Sequence, residues 1–188
     1  DDLAGFSGGI VEFPRIVDGS GVRVGDRVLG LASSGLHSNG FSLVRRIIFE
    51  RLALGIDSLL PGLGRTVADE LLIPTRIYVD SILTLLKVSP VSAMAHITGG
   101  GITGNLLRVL PSGCRAVSRK RSWEIPAVFE LLRKAGQVAE AEMFRTFNLG
   151  IGYIVVVPPD SVSLVTESLT ESGERVFALG EVVAGDPG

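Results

Sequence analysis

Cysteine, net charge and long apolar runs are all scarce in this sequence. Cys114 is the only cysteine among 188 residues, so the chain cannot form an internal disulfide, and we expect a reducing, cytoplasmic compartment. The formal net charge is −2, so there is no overall positive field to attract nucleic acid. No apolar run approaches the roughly 20 residues that a membrane-spanning helix needs. We therefore expect neither a nucleic-acid partner nor a membrane.

The first residues lack the features of a secretion signal. Residues 1–5 carry no basic cluster and no apolar run, and the sequence has no initiator methionine. Residues 3–13 are predicted to form a strand around Ile10 and Val11. We expect the chain to be part of a longer protein, and its length and 46% hydrophobic content suit one domain over residues 1–188.

Helical and strand-like patterns alternate along the chain. Phe41, Val44, Ile48 and Leu52 recur at helical spacing, whereas residues 151–157 are strongly β-branched. The patterns predict strands over 27–32, 94–98, 114–118, 151–157 and 175–184, and helices over 41–54, 78–87, 102–110, 126–135, 139–147 and 161–172. This alternation predicts an α/β fold, layered as in α+β proteins, with helices on a mixed sheet.

A first glycine-bearing loop, SSGLHSNG at residues 33–40, lies between a predicted strand and a predicted helix. Ser38 or Asn39 is a candidate helix cap, which would leave backbone N–H groups facing an anion. His37 can exchange a proton near neutral pH. The alternative is a capped helix with a purely structural histidine, and composition alone favours it because such turns are common.

A second loop, HITGGG at residues 96–101, also joins a strand to a helix. Its glycines suit a backbone that wraps a phosphate or a sugar, but a flexible joint is equally compatible with them. No Gly-Lys-Ser or Gly-Lys-Thr follows, so this is not a P-loop. In a third segment, residues 148–152, close packing is the favoured interpretation, with Asn148 the one candidate ligand contact. No His/Cys cluster has the spacing of a zinc site.

Five longer motifs are far more specific than any single loop. They are LASSGLHSNGFSLVRRI (31–47), LLIPTRIYVDSIL (71–83), AHITGGGITGNLLRVLP (95–111), EMFRTFNLGIG (142–152) and GEVVAG (180–185). In this order they resemble the C-terminal domain of the phosphoribosylformylglycinamidine cyclo-ligase family, also called aminoimidazole ribonucleotide synthetase. The resemblance covers nearly the whole chain.

The resemblance implies a two-domain, homodimeric α/β enzyme of de novo purine biosynthesis. Such an enzyme uses ATP and Mg²⁺ to close the imidazole ring of formylglycinamidine ribonucleotide, giving aminoimidazole ribonucleotide, ADP and phosphate. Most ATP- and metal-binding segments of the family belong to an N-terminal domain that is absent from this chain. The chain is therefore expected to supply one wall of the cleft and to be inactive in isolation.

The resemblance also implies candidate site residues within the two glycine loops. His37 is the candidate catalytic residue, and the chain is expected to contribute no metal ligand. The expected substrate-binding residues are Ser34, Gly35, Ser38, Asn39, His96, Thr98, Gly99, Gly100 and Gly101.

Two alternatives remain open at this point. One is another ATP-using member of the superfamily: formylglycinamidine ribonucleotide synthase, selenophosphate synthetase, thiamine monophosphate kinase or a hydrogenase maturation factor. The other is a fragment that binds substrate or mediates dimerisation without catalysis.

Overall fold

A computed structural model describes residues 5–6, 8–119 and 122–186. Its five strands form one sheet in the order β2-β4-β1-β5-β3. The strands are β1 (Arg27–Ala32), β2 (Ala93–His96), β3 (Cys114–Ser118), β4 (Ile151–Val157) and β5 (Val176–Ala184). Each overlaps a predicted strand, because β-branched and small apolar residues mark these segments clearly.

The described residues also form α-helices that separate and flank the strands. They are α1 (Phe41–Arg45), α2 (Val67–Leu71), α3 (Val79–Val88), α4 (Gly101–Leu107), α5 (Ala127–Gly136), α6 (Glu140–Thr146) and α7 (Val162–Glu171). A π-helical stretch, Arg46–Arg51, continues α1, so the predicted helix 41–54 is shorter and less regular than expected. Within the described ranges, every helix is too short to reach across a lipid bilayer.

The fold class is confirmed, with one difference in the direction of the strands. All four strand pairings are antiparallel, so the expected mixed sheet is an antiparallel one. The reason is the position of β1, which lies between β4 and β5. These two strands, joined through α7, run parallel to each other but do not pair. The alternation of helices and strands in the sequence does not specify this insertion.

Strand β4 lies at the centre of two hydrophobic clusters. Ile154 and Val156 pack with Ile102 of α4 on one face of the sheet. Val155 and Val157 pack with α3 and α7 on the other face, as the alternation of side chains along a strand requires. A third cluster unites α1, α5 and α6 beside the sheet. Burial of β4 on both faces explains its continuous apolar sequence.

The strand predicted over residues 3–13 is wrong for the described part of that segment. Residues 5–6 and 8–13 contain no strand, and a 3₁₀ turn begins at Phe13; Leu3, Ala4 and Ser7 lie outside the described residues. Phe6 and Ile10 are fully exposed, so the segment packs against no neighbouring sheet. An isolated extended segment gains neither ladder hydrogen bonds nor apolar burial, and its glycines disfavour a strand further.

Candidate active-site cleft

The two glycine loops meet at one edge of the sheet. Strands β1 and β2 both pair with β4, and both end where β4 begins: Ala32 pairs with Ile151, and His96 with Tyr153. As a result the ring centroids of His37 and His96 are only 6.4 Å apart. Asn39 also lies beside Gly99, since a Cβ on Gly99 would be 3.9 Å from Asn39 Oδ1. The pairing of β1 and β2 with the same strand thus creates the cleft.

The first loop is held from one side by residues 74–78, here called the strap, which precede α3. Ser34 Oγ donates a hydrogen bond to Pro74 O at 2.7 Å. The hydroxyl groups of Ser38 and Thr75 are hydrogen-bonded at 3.0 Å. The sequence motif containing the strap was recognised, but its contact with the first loop was not predicted. These contacts join residues about 40 positions apart, so only the folded chain brings them together.

Asn148 holds the first loop from the other side. Its Nδ2 donates to Gly35 O at 2.9 Å and to Leu36 O at 3.2 Å, and its Oδ1 accepts from Gly150 N at 2.8 Å. The residue is almost completely buried. Its amide is therefore used by the protein itself, which agrees with the packing interpretation of the third segment rather than with a ligand contact.

His37 is the most constrained side chain of the cleft. Its φ is 57°, a left-handed conformation that non-glycine residues seldom adopt, and only 5% of its surface is exposed. Its Nε2 accepts hydrogen bonds from Ser34 N at 3.1 Å and from Arg76 N at 3.4 Å. This arrangement requires a neutral ring with its proton on Nδ1. Burial, and secondarily the proximity of His96, lowers the pKa of His37 to about 4.

One polar atom of His37 is left without a partner. Nδ1 is buried and makes no hydrogen bond within the described residues. The His37 ring belongs to a cluster of four aromatic rings. The others are those of Tyr78, His96 and Tyr153, and neighbouring centroids are 5.3–6.4 Å apart. His96 is the exposed member of this cluster.

The two tyrosines were missed as site residues by the sequence analysis. The Tyr78 hydroxyl donates to Ala32 O at 2.7 Å, and its ring lies over Gly152, where any side chain would collide with it. Burial raises the pKa values of both tyrosine hydroxyls, so both remain protonated at neutral pH. Gly152 was the available signal, because a glycine within an apolar strand, here its second residue, indicates a close approach by another group.

Asn105 of α4 determines the shape of the second loop. Its Nδ2 donates to Gly101 O at 2.8 Å and to Thr98 O at 3.1 Å, and Thr98 Oγ1 donates to its Oδ1 at 3.1 Å. Gly100 and Gly101 have φ values of 99° and 63°, and a Cβ on Gly101 would collide with the carbonyl oxygen of Phe144. The backbone conformation at positions 100 and 101 thus requires glycine. Gly99, by contrast, is exposed and lies beside Asn39 in the cleft.

The expectation that Ser38 or Asn39 caps the helix is wrong. Gly40, with φ 77°, occupies the cap position of α1, and no side chain accepts a hydrogen bond there. The Ser38 hydroxyl is engaged by Thr75, and the Asn39 amide lies beside Gly99. Within the described residues, neither Asn39 nor His96 makes a side-chain hydrogen bond. Both are therefore available to a ligand.

An apolar groove of about 510 Å³ adjoins the cleft at His96. It runs between the strap, α3 and the edge strand β2, and its lining includes Tyr78, Leu83, Met94 and Tyr153. Among the described residues, no group of three or more His, Cys, Asp or Glu side chains is arranged to hold a metal ion. The cleft can therefore offer hydrogen-bonding groups and aromatic surface.

Curated relatives of known name match the whole chain. The chain is 54% identical over 187 residues to the phosphoribosylformylglycinamidine cyclo-ligase of Citrifermentans bemidjiense, and 51% identical to that of Geotalea uraniireducens. Each alignment covers 100% of this chain but only 54% of the relative. The chain thus spans about half the length of these relatives.

Solved structures show the same fold at low sequence identity. Thiamine-monophosphate kinase from Stenotrophomonas maltophilia matches with a TM-score of 0.62 at 12% identity, over 94% of this chain and 53% of that one. Escherichia coli HypE matches with a TM-score of 0.56 at 17% identity, over 89% and 47%. The family described as AIR synthase related protein, C-terminal domain, matches residues 23–188, and the chain belongs to this family.

Proposed function

We propose that the chain is the C-terminal half of an ATP-dependent cyclo-ligase that converts formylglycinamidine ribonucleotide into aminoimidazole ribonucleotide. The observation that carries this proposal is the 54% identity to a cyclo-ligase across 187 aligned residues. The geometry supports it independently, because the HSNG and HITGGG segments form one cleft. An N-terminal half, as in the relatives, would supply the opposite wall.

The chemistry of this reaction needs positioning and charge stabilisation more than a protein nucleophile. The formyl oxygen attacks the γ-phosphorus of ATP and releases ADP. The amidine nitrogen then attacks the formyl carbon, the phosphorylated oxygen leaves as phosphate, and loss of the nitrogen proton completes the ring. Hydrogen-bond donors held in place beside the reacting atoms favour both displacements, because they stabilise the negative charge that develops there.

Within this chain we assign substrate contact to the groups that remain free in the cleft. These are the His96 ring, the Asn39 amide and the backbone N–H of Gly99, with Thr98, Gly100 and Gly101 shaping the loop; the Gly99 carbonyl already accepts from Asn105. Ser34, Gly35 and Ser38 shape the opposite loop. His37 is the candidate catalytic residue only through its Nδ1–H, since Nε2 is occupied by two backbone donors.

ATP belongs to the proposed reaction as a substrate, whereas Mg²⁺ has no site among the described residues. No cluster of three or more carboxylate or histidine side chains occurs in the part of the chain that the structure describes, so the residues present there do not fit a magnesium ion. We assign the metal and most of the ATP contacts to the N-terminal half. We further propose that the full-length enzyme is a homodimer, as the family resemblance implies, and that it is cytoplasmic, which the single, unpaired cysteine of this chain supports.

A chimera tests the proposal directly. The N-terminal 46% of the C. bemidjiense relative would be joined to this chain, and formation of ADP and aminoimidazole ribonucleotide would be measured. The turnover rate of the chimera is expected to lie within about tenfold of that of the relative's own enzyme. The relative's full-length enzyme is assayed in parallel as the positive control. A folded chimera that binds the formyl-amidine substrate without converting it would favour the non-catalytic alternative.

A further inference from the structure

Three successive residues of the strap contact the first glycine loop. Pro74 O accepts from Ser34 Oγ, Thr75 Oγ1 is hydrogen-bonded to Ser38, and Arg76 N donates to His37 Nε2. The loop therefore has a defined shape only if the strap has a defined path. The strap itself is neither helix nor strand, so its path is not fixed by a backbone hydrogen-bond ladder.

An ion pair fixes the strap to a distant turn. Arg76 Nε donates to Glu174 Oε2 at 2.8 Å, and Arg76 Nη2 donates to Gly173 O at 2.8 Å. The other carboxylate oxygen, Glu174 Oε1, accepts from Ser81 Oγ at 2.6 Å. Glu174 lies three residues after the end of α7, and its own N–H donates to Leu169 O, so the turn is anchored to the core.

The burial of Glu174 makes this geometry demanding. Its side chain is 2% exposed, whereas that of Arg76 is 37% exposed. A carboxylate that leaves water is tolerated only when it is paired and its oxygens accept hydrogen bonds, as both oxygens do here. The guanidinium cannot move away without leaving that charge unpaired. Arg76, and the peptide groups on either side of it, are thereby restricted to one arrangement.

We propose that Glu174 is a positioning residue of the cleft, which acts through Arg76 to fix the strap and hence His37 and Ser38. Arg76 contacts His37 through its backbone N–H while its guanidinium is bound to Glu174, so both residues act through the loop and not as catalytic groups. The importance of this positioning for turnover rests on the proposed function. The claim that Glu174 positions His37 does not depend on the proposed function. It can be tested by a measurement on the His37 ring that needs no enzyme activity.

Nuclear magnetic resonance of the imidazole nitrogens tests the positioning. The chain contains two histidines, so two ring spin systems are expected and His37→Gln assigns them. In the wild-type chain His37 is expected to show the Nδ1–H tautomer and to titrate at about pH 4. Two titratable rings face it, Tyr78 at 6.3 Å and His96 at 6.4 Å, and the His96 signal is followed in the same spectra. In Glu174→Ala the strap loosens and water reaches the ring, so the His37 pKa should move toward the ordinary 6.5.

Two further variants make the result decisive. Glu174→Gln keeps an acceptor for Arg76 and is expected to give a smaller displacement of the His37 pKa. Glu130→Ala is the matched control, because Glu130 pairs with Arg133 and Lys134 on α5 and should leave His37 unchanged. If Glu174→Ala does not fold, the double variant Arg76→Met with Glu174→Gln is measured in its place, because it removes both charges of the ion pair together. A folded variant lacking the pair, with wild-type tautomer and titration of His37, overturns the proposal.

The chimera supplies the second readout. There Glu174→Ala is expected to lower kcat by about tenfold or more with a smaller change in KM, because a misplaced loop weakens transition-state contacts most. An unchanged kcat in this variant would also overturn the positioning role. If the unmodified chimera has no activity, the proposed function fails, while the magnetic resonance result still decides how His37 is held.

Discussion

At the scale of single residues, Gly152 shows how one missing side chain makes room for a cleft. A Cβ at this position would collide with the Tyr78 hydroxyl and the His37 ring. Gly152→Ala is therefore expected to lower the free energy of unfolding by about 1–3 kcal/mol, as overpacked sites do. Denaturant unfolding of the isolated chain measures this change.

Gly104→Ala is the matched control for that substitution. Gly104 lies in α4, and a Cβ there meets nothing within 4 Å. Alanine should stabilise this helix by up to about 1 kcal/mol. Equal effects of the two substitutions would contradict the packing assigned to Gly152.

The neutral state of His37 gives a second prediction at this scale, on pH dependence. The pKa is about 4 in the folded chain and about 6.5 in the unfolded chain, so between these values the unfolded state binds the additional proton. The contribution of the neutral His37 ring to the free energy of unfolding is complete above about pH 6.5 and is lost as the pH falls toward 4. The loss amounts to about 3 kcal/mol.

His37→Gln isolates this contribution, because glutamine can place an acceptor near the Nε2 position and does not titrate. The difference in free energy of unfolding between wild type and variant should narrow or reverse as the pH falls from 6.5 to 4. Chemical denaturation at a series of pH values measures that difference. Two curves that stay parallel over this range would exclude a buried neutral His37.

At the scale of elements, Asn105 joins helix α4 to the second glycine loop. Removal of its amide leaves the buried carbonyl of Gly101 without this donor and frees Thr98 Oγ1. Asn105→Ala should lower the free energy of unfolding by about 1–3 kcal/mol. It should also speed hydrogen exchange of the amides at residues 99–104 at least severalfold relative to the rest of the sheet.

Asn39→Ala is the control for Asn105→Ala, since the Asn39 side chain has no hydrogen bond among the described residues and lies in the other loop. Its effect on the free energy of unfolding should stay within about 0.5 kcal/mol. Wild-type exchange at residues 99–104 in Asn105→Ala would show that the glycine loop is shaped by its own backbone alone.

At the scale of the whole molecule, this chain provides half of a proposed active site. It offers hydrogen-bonding groups and aromatic surface, but no carboxylate cluster for Mg²⁺ among the described residues. The isolated chain, supplied with ATP, Mg²⁺ and the formyl-amidine substrate, is therefore expected to release no ADP above background. A coupled ADP assay measures this, with the active chimera as its positive control. Robust turnover by a chain of verified mass would place the complete site here.

Local sequence determined most of the elements and the positions of the two glycine loops. Residues 27–32, 114–118 and 151–157 were predicted as strands with the observed bounds, because a run of β-branched and apolar residues carries its own preference. Both histidines were predicted to lie in glycine-bearing loops near one site, and their rings are 6.4 Å apart. The short helix α2 escaped prediction, although its capping box between Thr66 and Asp69 is a local signal.

Tertiary structure decided what those loops can do. The insertion of β1 between β4 and β5 depends on pairing energies summed over the whole sheet, which no local pattern contains. The burial of His37 likewise depends on the strap, and the strap depends on Glu174, 98 positions after Arg76. A histidine in a loop is equally compatible with a solvated acid–base group and with a buried acceptor. Only the packing of distant residues removes the water, and this desolvation determines the protonation state of the ring.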